Sequence, residues 1–331
     1  MLIICGIAVV DIIASNLPKV ANPGELIFSS IKLCVGGHAC NVTLDLVQIG
    51  VPKNKIVPVF AVGNDILGDF LEKNIKNTDL KPKVFRTDKA LTSKDLILVV
   101  KGEDRRFHVD PGANMYLSPE YVVEVAKKEK PTIFYLGGVG MLDELDKDLE
   151  NVLRKIKDLG ALTFVDVVAP YGKSWNFIIS ALKWVDIFHC NDVEIKEITG
   201  KDNLIDALEK ISKLGVKFCI VTLGEKGLIA NFPKVRITMP AFKVRVIDPT
   251  GAGDAFCAGL ILKLFKVIHS KADIYTIKIE DWKNFLLYAS ACGAACCEAI
   301  GTTASVKPEY IKRIIRSQGG DVSRKTVIED I

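Results

Sequence analysis

Asp248-Pro249-Thr250-Gly251-Ala252-Gly253-Asp254-Ala255-Phe256 is the stretch on which the reading of this chain turns. β-Branched residues lead into it (Val244, Val246, Ile247), and an apolar helical pattern leads out (Phe256, Leu260, Ile261, Leu264, Phe265). The spacing predicts a strand, a glycine turn and a helix whose first turn carries a carboxylate. Small residues at Gly251, Ala252 and Gly253 let backbone N–H groups converge on one point, where the helix dipole adds positive potential. Such a nest holds an anion, or a negative charge as it develops. Asp254 at its edge can accept the proton of an attacking hydroxyl. Together these features suggest phosphoryl transfer to an alcohol. The same corner with an Asp at its helix start is also an ordinary packing device in α/β proteins, so the rest of the chain must decide between the two.

At 331 residues the chain can form one large domain, with or without a small companion. A hydrophobic content of 49% and a charged content of 25% are ordinary for a globular enzyme. The net charge of +4, without a dense Lys/Arg block interleaved with aromatics, argues against nucleic acid as a partner. The apolar segment 1–14 has no basic leader and is interrupted by Asp11. It reads as a buried parallel strand ending near Asp11, not as a signal peptide. No stretch is long and apolar enough to span a bilayer, so the expected location is cytoplasmic, with no membrane partner. The nine cysteines are irregularly spaced and form no CxxC pair, which favours buried free thiols over a zinc site. The four histidines are scattered, and neither HExxH nor GxSxG occurs.

Short apolar runs at Thr132–Leu136, Ala161–Val168, Val185–His189 and Phe218–Leu223 alternate with amphipathic segments such as Leu145–Leu159 and Leu204–Leu214. That alternation predicts a parallel sheet covered by helices. Ligands of such sheets bind beyond the carboxyl ends of the strands. Asp11, Asp166, Asn191, Gly224 and Asp248 are expected at or just after those ends. Two segments break the pattern. Glu25–Val35 reads as an extended strand, and Leu96–Val109 as a hairpin turning at Lys101-Gly102-Glu103-Asp104. A small sheet made from them would exclude water from the mouth of the larger one. The polar residues 318–331 are expected to fray.

A second constellation, Gly36-Gly37-His38-Ala39-Cys40-Asn41, opens an amphipathic helix with Val42, Leu46 and Ile49 on one face. Paired glycines allow close backbone approach to a ligand, and an Asn amide both donates to and accepts from hydroxyls. Taken together, the early GGxxxN and the late DxTGAGDxFxxG resemble the two signatures of the ribokinase-like carbohydrate kinases, the PfkB family. Further segments match in the same order. Gly6 to Asp11 resembles the family's first strand with its substrate-binding Asp. Gly63-Asn64-Asp65 with Gly68 resembles a GxDxxG element, and Pro111-Gly112-Ala113-Asn114 the segment that closes the lid hairpin. Asn191-Asp192-Val193-Glu194 resembles NxxE, and Thr222 to Gly227 the nucleotide-binding TLGxxG.

The resemblance implies a three-layer α/β/α sandwich with a mostly parallel central sheet plus a small β-sheet lid. The main domain would comprise residues 1–12, 36–93 and 112–317, the lid 13–35 and 94–111, and the tail 318–331. It implies ATP and Mg²⁺, and in many members a monovalent cation such as K⁺. Asp254 matches the catalytic base, and Gly251, Ala252, Gly253 and Asp254 the anion hole. Asp11, Gly36, Gly37, Asn41 and Asp254 would bind the acceptor. Asn191, Thr222, Gly224, Gly227 and Gly253 would line the nucleotide, with Ala291 to Cys297 and Gly301 to Ser305 flanking the adenine. Glu194 and Asn191 would hold Mg²⁺ through waters, and Asp248 and Thr250 the monovalent cation. Lid-to-lid homodimers occur in the family.

Departures concentrate on the acceptor side. Val9 stands where ribokinases carry Asn, His38 where they carry Lys, and Asp166-Val167 where they carry Asn-Pro. Pro249 replaces a frequent Thr. Ribose is therefore in question, while the kinase class is not. The expected function is ATP-dependent phosphorylation of a sugar or related polyol, with a nucleoside as the alternative acceptor. Arg105, Arg106 and His108 on the hairpin could reach a phosphate or carboxylate on a substrate, but read first as solvated lid residues. A dehydrogenase would need an early GxGxxG, a P-loop kinase needs GxxxxGK[ST], and neither is present. A binding protein without catalysis would be marked by loss of the base, but Asp254 is present.

Overall fold

The structure, a computed structural model, describes residues 1–103 and 105–331, with the backbone alone at 271 and 272. Its strands are β1 (Leu2–Gly6), β2 (Val9–Leu17), β3 (Ser30–Gly36), β4 (Ile56–Gly63), β5 (Lys83–Thr87), β6 (Lys94–Val100) and β7 (Arg106–Asp110). They continue with β8 (Ile133–Val139), β9 (Leu162–Val167), β10 (Ile187–Asn191), β11 (Phe218–Thr222), β12 (Leu228–Phe232), β13 (Val235–Met239) and β14 (Val327–Asp330). The four apolar runs that alternate with helical patterns are β8 to β11. They belong to a ten-stranded sheet ordered β14-β13-β12-β11-β10-β9-β8-β1-β4-β5. It is parallel from β5 to β11 and antiparallel from β11 to β14.

β1 shows why this sheet reads as continuous apolar sequence. Leu2 and Ile4 face one hydrophobic cluster, Ile3 and Cys5 face another, and all four are buried. A parallel sheet covered by helices on both faces needs apolar side chains at both parities. The fold is thus an α/β sandwich with a mostly parallel central sheet, and β2, β3, β6 and β7 form a separate sheet ordered β3-β2-β6-β7. All nine cysteines are free thiols. Among the described residues no helix is long and apolar enough to cross a membrane.

Several local expectations differ from the structure. The first strand ends at Gly6, not near Asp11. The chain then enters the small sheet, where Asp11 pairs with Cys34 and Asp95. The strand expected from Glu25 begins only at Ser30, because exposed Leu26 and Phe28 have no sheet partner to pack on. Leu145–Leu159 is two helices, Asp143–Lys147 and Leu149–Asp158, broken at Asp148. The apolar lead into the nest is not a strand. Residues 240–250 carry no regular element, and Val246 and Ile247 are exposed. The tail does not fray. A helix runs Pro308–Lys325 with Val322 buried, and β14 pairs antiparallel with β13. Asp104, the last residue assigned to the hairpin turn, lies outside the described residues.

Candidate active site

Two helices start at one place. His38–Gln48 follows directly on β3 and Gly37, and Ala252–Phe265 follows the glycine turn at Gly251. Gly251 has φ +82° and caps the second helix. A Cβ there would lie 2.6 Å from the Thr302 carbonyl oxygen, so only glycine fits. In the first turns of these helices Asn41 and Asp254 meet. Asn41 Nδ2 donates to Asp254 Oδ2 at 2.8 Å, and Thr302 Oγ1 donates to Asn41 Oδ1 at 2.8 Å, which orients the amide. Asp254 Oδ1 is buried and has no hydrogen-bond partner. Burial raises the Asp254 carboxyl above its ordinary range, against the pull of nearby His38.

Asp11 reaches the same space from the small sheet. Burial, reinforced by the like charges of Asp95, Asp254 and Asp248, pushes its carboxyl up to about 7. Its carboxylate lies against the backbone of Gly36. A Cβ at residue 36 would be 2.3 Å from Asp11 Oδ2. Gly36→Ala should therefore push the carboxylate aside and, with Asp11 binding the acceptor as expected from the sequence, raise the KM for the acceptor with little change in melting temperature. Steady-state kinetics beside a thermal melt checks this, and an unchanged KM would remove Asp11 from the acceptor site.

Next to Asp254 lies a polar cluster on the main sheet. Asp166 on β9 accepts from Tyr135 Oη at 2.9 Å and from Cys257 Sγ at 3.4 Å, and pairs with His189 Nδ1 at 2.8 Å. His38 Nε2 stands 3.9 Å from Asp166 Oδ2 and 4.0 Å from Asp254 Oδ1, between the two carboxylates. Burial would raise the Asp166 carboxyl, but the His189 charge and hydrogen bond hold it below the ordinary range. His189 shifts the other way. Burial would lower it, and Asp166 more than offsets that. The imidazole stacks on Phe256 at 5.3 Å, and its Nε2 lies 3.3 Å from Thr222 Oγ1 at the end of β11. Asp254 is thus joined by contacts to the strand end expected to face a nucleotide.

There a cleft of about 550 Å³ opens. Its lining includes Leu228, Phe242, Val244, Val246, Ala294 and Cys297 together with Thr222, Gly224, Gly227, Ala252 and Gly253, but not Asn191, which was expected beside the nucleotide. Among residues expected to flank a base, Gly293, Ala294 and Cys297 line this cleft. Gly301 to Ser305 do not. Gly301 N donates to Asp248 and Thr302 to Asn41, so this loop braces the nest instead.

Asn191 and Glu194 form a reciprocal cap on the helix Asp192–Thr199. Asn191 Oδ1 accepts from the N–H groups of Val193 and Glu194, and Glu194 Oε2 accepts from the Asn191 N–H at 2.8 Å. Burial pushes the Glu194 carboxyl up to about 7, despite that N–H. Asp248 Oδ1 accepts from Thr250 N at 3.0 Å, from Thr250 Oγ1 at 2.6 Å and from Arg105 Nη1 at 2.5 Å. Arg105 is therefore no solvated lid residue. Tyr135, His189 and Cys257 were not expected in the site, and Thr302, expected beside the adenine, is found on Asn41 instead. The signal for His189 was a histidine inside an otherwise apolar strand, and the other two carried none.

Residues 1–309 match the family described as pfkB family carbohydrate kinase. Among curated proteins, the aminoimidazole riboside kinase of Salmonella typhimurium is 27% identical over 302 residues, spanning 87% of this chain and 90% of its own length. Fructokinase-2 of Solanum lycopersicum is 27% identical over 274 residues, spanning 78% of this chain and 80% of its own. Among solved structures, fructokinase of Xylella fastidiosa with bound ATP superposes with a TM-score of 0.82 at 20% identity, covering 96% of this chain and 98% of that one.

Proposed function

We propose, for a chain that belongs to the pfkB family of carbohydrate kinases, that Asp254 orients the acceptor hydroxyl and takes its proton, while the N–H groups of Gly251 to Asp254 hold the transferring phosphoryl group. Members of the family are phosphotransferases acting on sugar or nucleoside hydroxyls, and this chain is one of them. The observation that carries the residue roles is the unpartnered, buried Oδ1 of Asp254, with Oδ2 already fixed by Asn41. A buried carboxylate oxygen without a donor is an acceptor in search of one, and the acceptor hydroxyl supplies it. Asp11, the Gly36-Gly37 backbone and Asn41 would bind further hydroxyls of the same molecule.

The family uses ATP with Mg²⁺. The adenine would lie in the apolar cleft, with Thr222, Gly224, Gly227 and Gly253 toward the phosphates. The Glu194 carboxyl is raised by burial and by Asp166 against the pull of His189 and His38, and a water-bridged divalent ion would favour its ionised form. Asn191 would act beside it through its amide NH₂, since its Oδ1 is engaged in the helix cap. When bound, Mg²⁺ would neutralise charge on the transferring phosphate. The small sheet would close over this space as a lid and exclude water, which competes with the acceptor.

A nucleoside acceptor is the second reading. Phe107 and Val109 share a sheet face with Asp11, Ile13, Asp95 and Ile97 by strand register, and both are partly exposed. An aromatic side chain on the acceptor-facing side of the lid suits a base. ATP- and Mg²⁺-dependent phosphorylation across sugars, polyols and nucleosides decides between the two. Turnover of free sugars alone would end the nucleoside reading.

Asp11 gives the reaction a pH signature. Acceptor hydroxyls donate to the ionised carboxylate, and that form is populated only as pH rises through about 7. KM for the acceptor should fall from pH 6 to pH 8, and Asp11→Asn should flatten the profile. A slope that survives in Asp11→Asn would assign the titration to another group.

On the opposite face of the small sheet Ile31, Leu33 and Leu96 share one side by register and are exposed. This face would pair with a second copy, burying apolar surface on a sheet that has two open edges. Light scattering should report a dimer that Leu33→Glu converts to monomer. A monomeric parent protein would discard the idea.

A further inference from the structure

Arg105 leaves the small sheet in the β6–β7 connection and reaches the turn that begins the anion nest. Its guanidinium lies on Asp248 Oδ1 at 2.5 Å, with its Cζ 5.3 Å from the Phe107 ring centroid. Both ends of the pair are largely buried, with side-chain exposures of 15% and 11%. The chemistry of the donor set bears on the monovalent cation expected at Asp248 and Thr250. An alkali ion needs oxygens whose lone pairs face it. Here Asp248 Oδ1 receives three donors, among them the Thr250 hydroxyl, which turns its hydrogen toward the carboxylate. Asp248 Oδ2 accepts from Gly301 N at 3.1 Å. A metal ion against this oxygen pair would sit beside a guanidinium in a poorly solvated turn, where like charges repel strongly. With the guanidinium in place, the residues present do not fit an alkali ion.

We propose that Arg105 is the resident cation of this turn: its guanidinium neutralises Asp248 where an alkali ion would otherwise be needed, and so ties the lid hairpin to the start of the Gly251 nest. Asp248 is three residues from Gly251, and its side chain gathers Thr250, Gly301 and Arg105 on one carboxylate. Fixing that carboxylate sets the direction in which the following N–H groups point. Arg105 is thus a positioning residue. Its effect on turnover rests on the kinase function proposed above, but its effect on the turn does not.

The test compares the full chain with Arg105→Gln and Arg105→Lys in equimolar KCl and tetramethylammonium chloride, which match in ionic strength while only K⁺ can enter an oxygen cage. Thermal melting is read first, because it requires no turnover. The parent protein and Arg105→Lys should melt at the same temperature in both salts. Arg105→Gln should melt lower in tetramethylammonium chloride and recover in KCl. In the acceptor assay KCl should raise kcat of Arg105→Gln several-fold and leave the parent unchanged. Stabilisation of the parent protein by KCl would overturn the proposal, since an alkali ion would then bind beside the guanidinium. An Arg105→Gln protein indifferent to the salt would overturn it equally. If no acceptor is phosphorylated in any salt, the kinase assignment fails, while the melting comparison still decides the role of Arg105.

Discussion

Replacing Asp254 by Asn lowers turnover by about 10²–10⁴-fold, the usual contribution of a positioned general base, and leaves ATP binding near that of the parent. An Asn can still present an oxygen to Asn41 Nδ2, so the hydrogen bond at 2.8 Å and the helix start survive. What is lost is the buried oxygen Oδ1, which has no partner in the protein and is the atom that would receive the hydroxyl proton. An amide nitrogen in its place donates where a base must accept. The loss corresponds to roughly 3–5 kcal/mol of transition-state stabilisation. It should appear in kcat more than in KM, because Asp11, Asn41 and the Gly36-Gly37 backbone, proposed to bind the acceptor, are unchanged. The cleft proposed for the nucleotide does not include residue 254, so calorimetric ATP affinity should hold. A variant with full turnover would remove Asp254 as the base.

The second large effect concerns stability. Asp166→Ala strips Tyr135, His189 and Cys257 of their common acceptor at once. Removing one partner of a buried charge pair costs about 3–5 kcal/mol, because the other charge remains buried and uncompensated. Urea unfolding should show a loss of that size. Asp166→Asn, which keeps an acceptor oxygen but no charge, should lose less. Equal stability of Asp166→Ala and the parent would mean that the cluster is not ionic. The sign with pH follows from the two shifts. Asp166 is depressed, so its contribution is present above its unfolded value near 4 and is lost as pH falls through the folded value. His189 is raised, so its contribution is full below its unfolded value of about 6.5 and is lost as pH rises through the folded value. The difference between Asp166→Ala and the parent should be greatest between those limits and shrink on either side.

The same cluster shows where a sequence stops being informative. The apolar runs that became β8 to β11 were legible because a doubly covered parallel strand must be apolar at both parities, and helices between them must be amphipathic. The two glycine motifs were legible because a nest at a helix start needs small residues at fixed local spacing. The extended stretch before the nest was not. Val244, Val246 and Ile247 have strand propensity, but no neighbouring strand offers them a ladder, and propensity without a partner forms no sheet. The tail misled in the opposite sense. Its composition is polar, yet the open edge of β13 provides a partner for β14.

By itself the sequence determined the layer architecture, the two helix starts and the residue types gathered at each, since all of these depend on periods and spacings a few residues long. The tertiary structure decided which of those residues touch. Asn41 meets Asp254 across 213 residues, Arg105 meets Asp248 across 143, and Thr302 meets Asn41 across 261. Hydrogen bonds and ion pairs act over a few ångströms of space whatever their distance along the chain. Which carboxylate is left without a donor, and which is already neutralised, is therefore set only when the sheets and helices have packed.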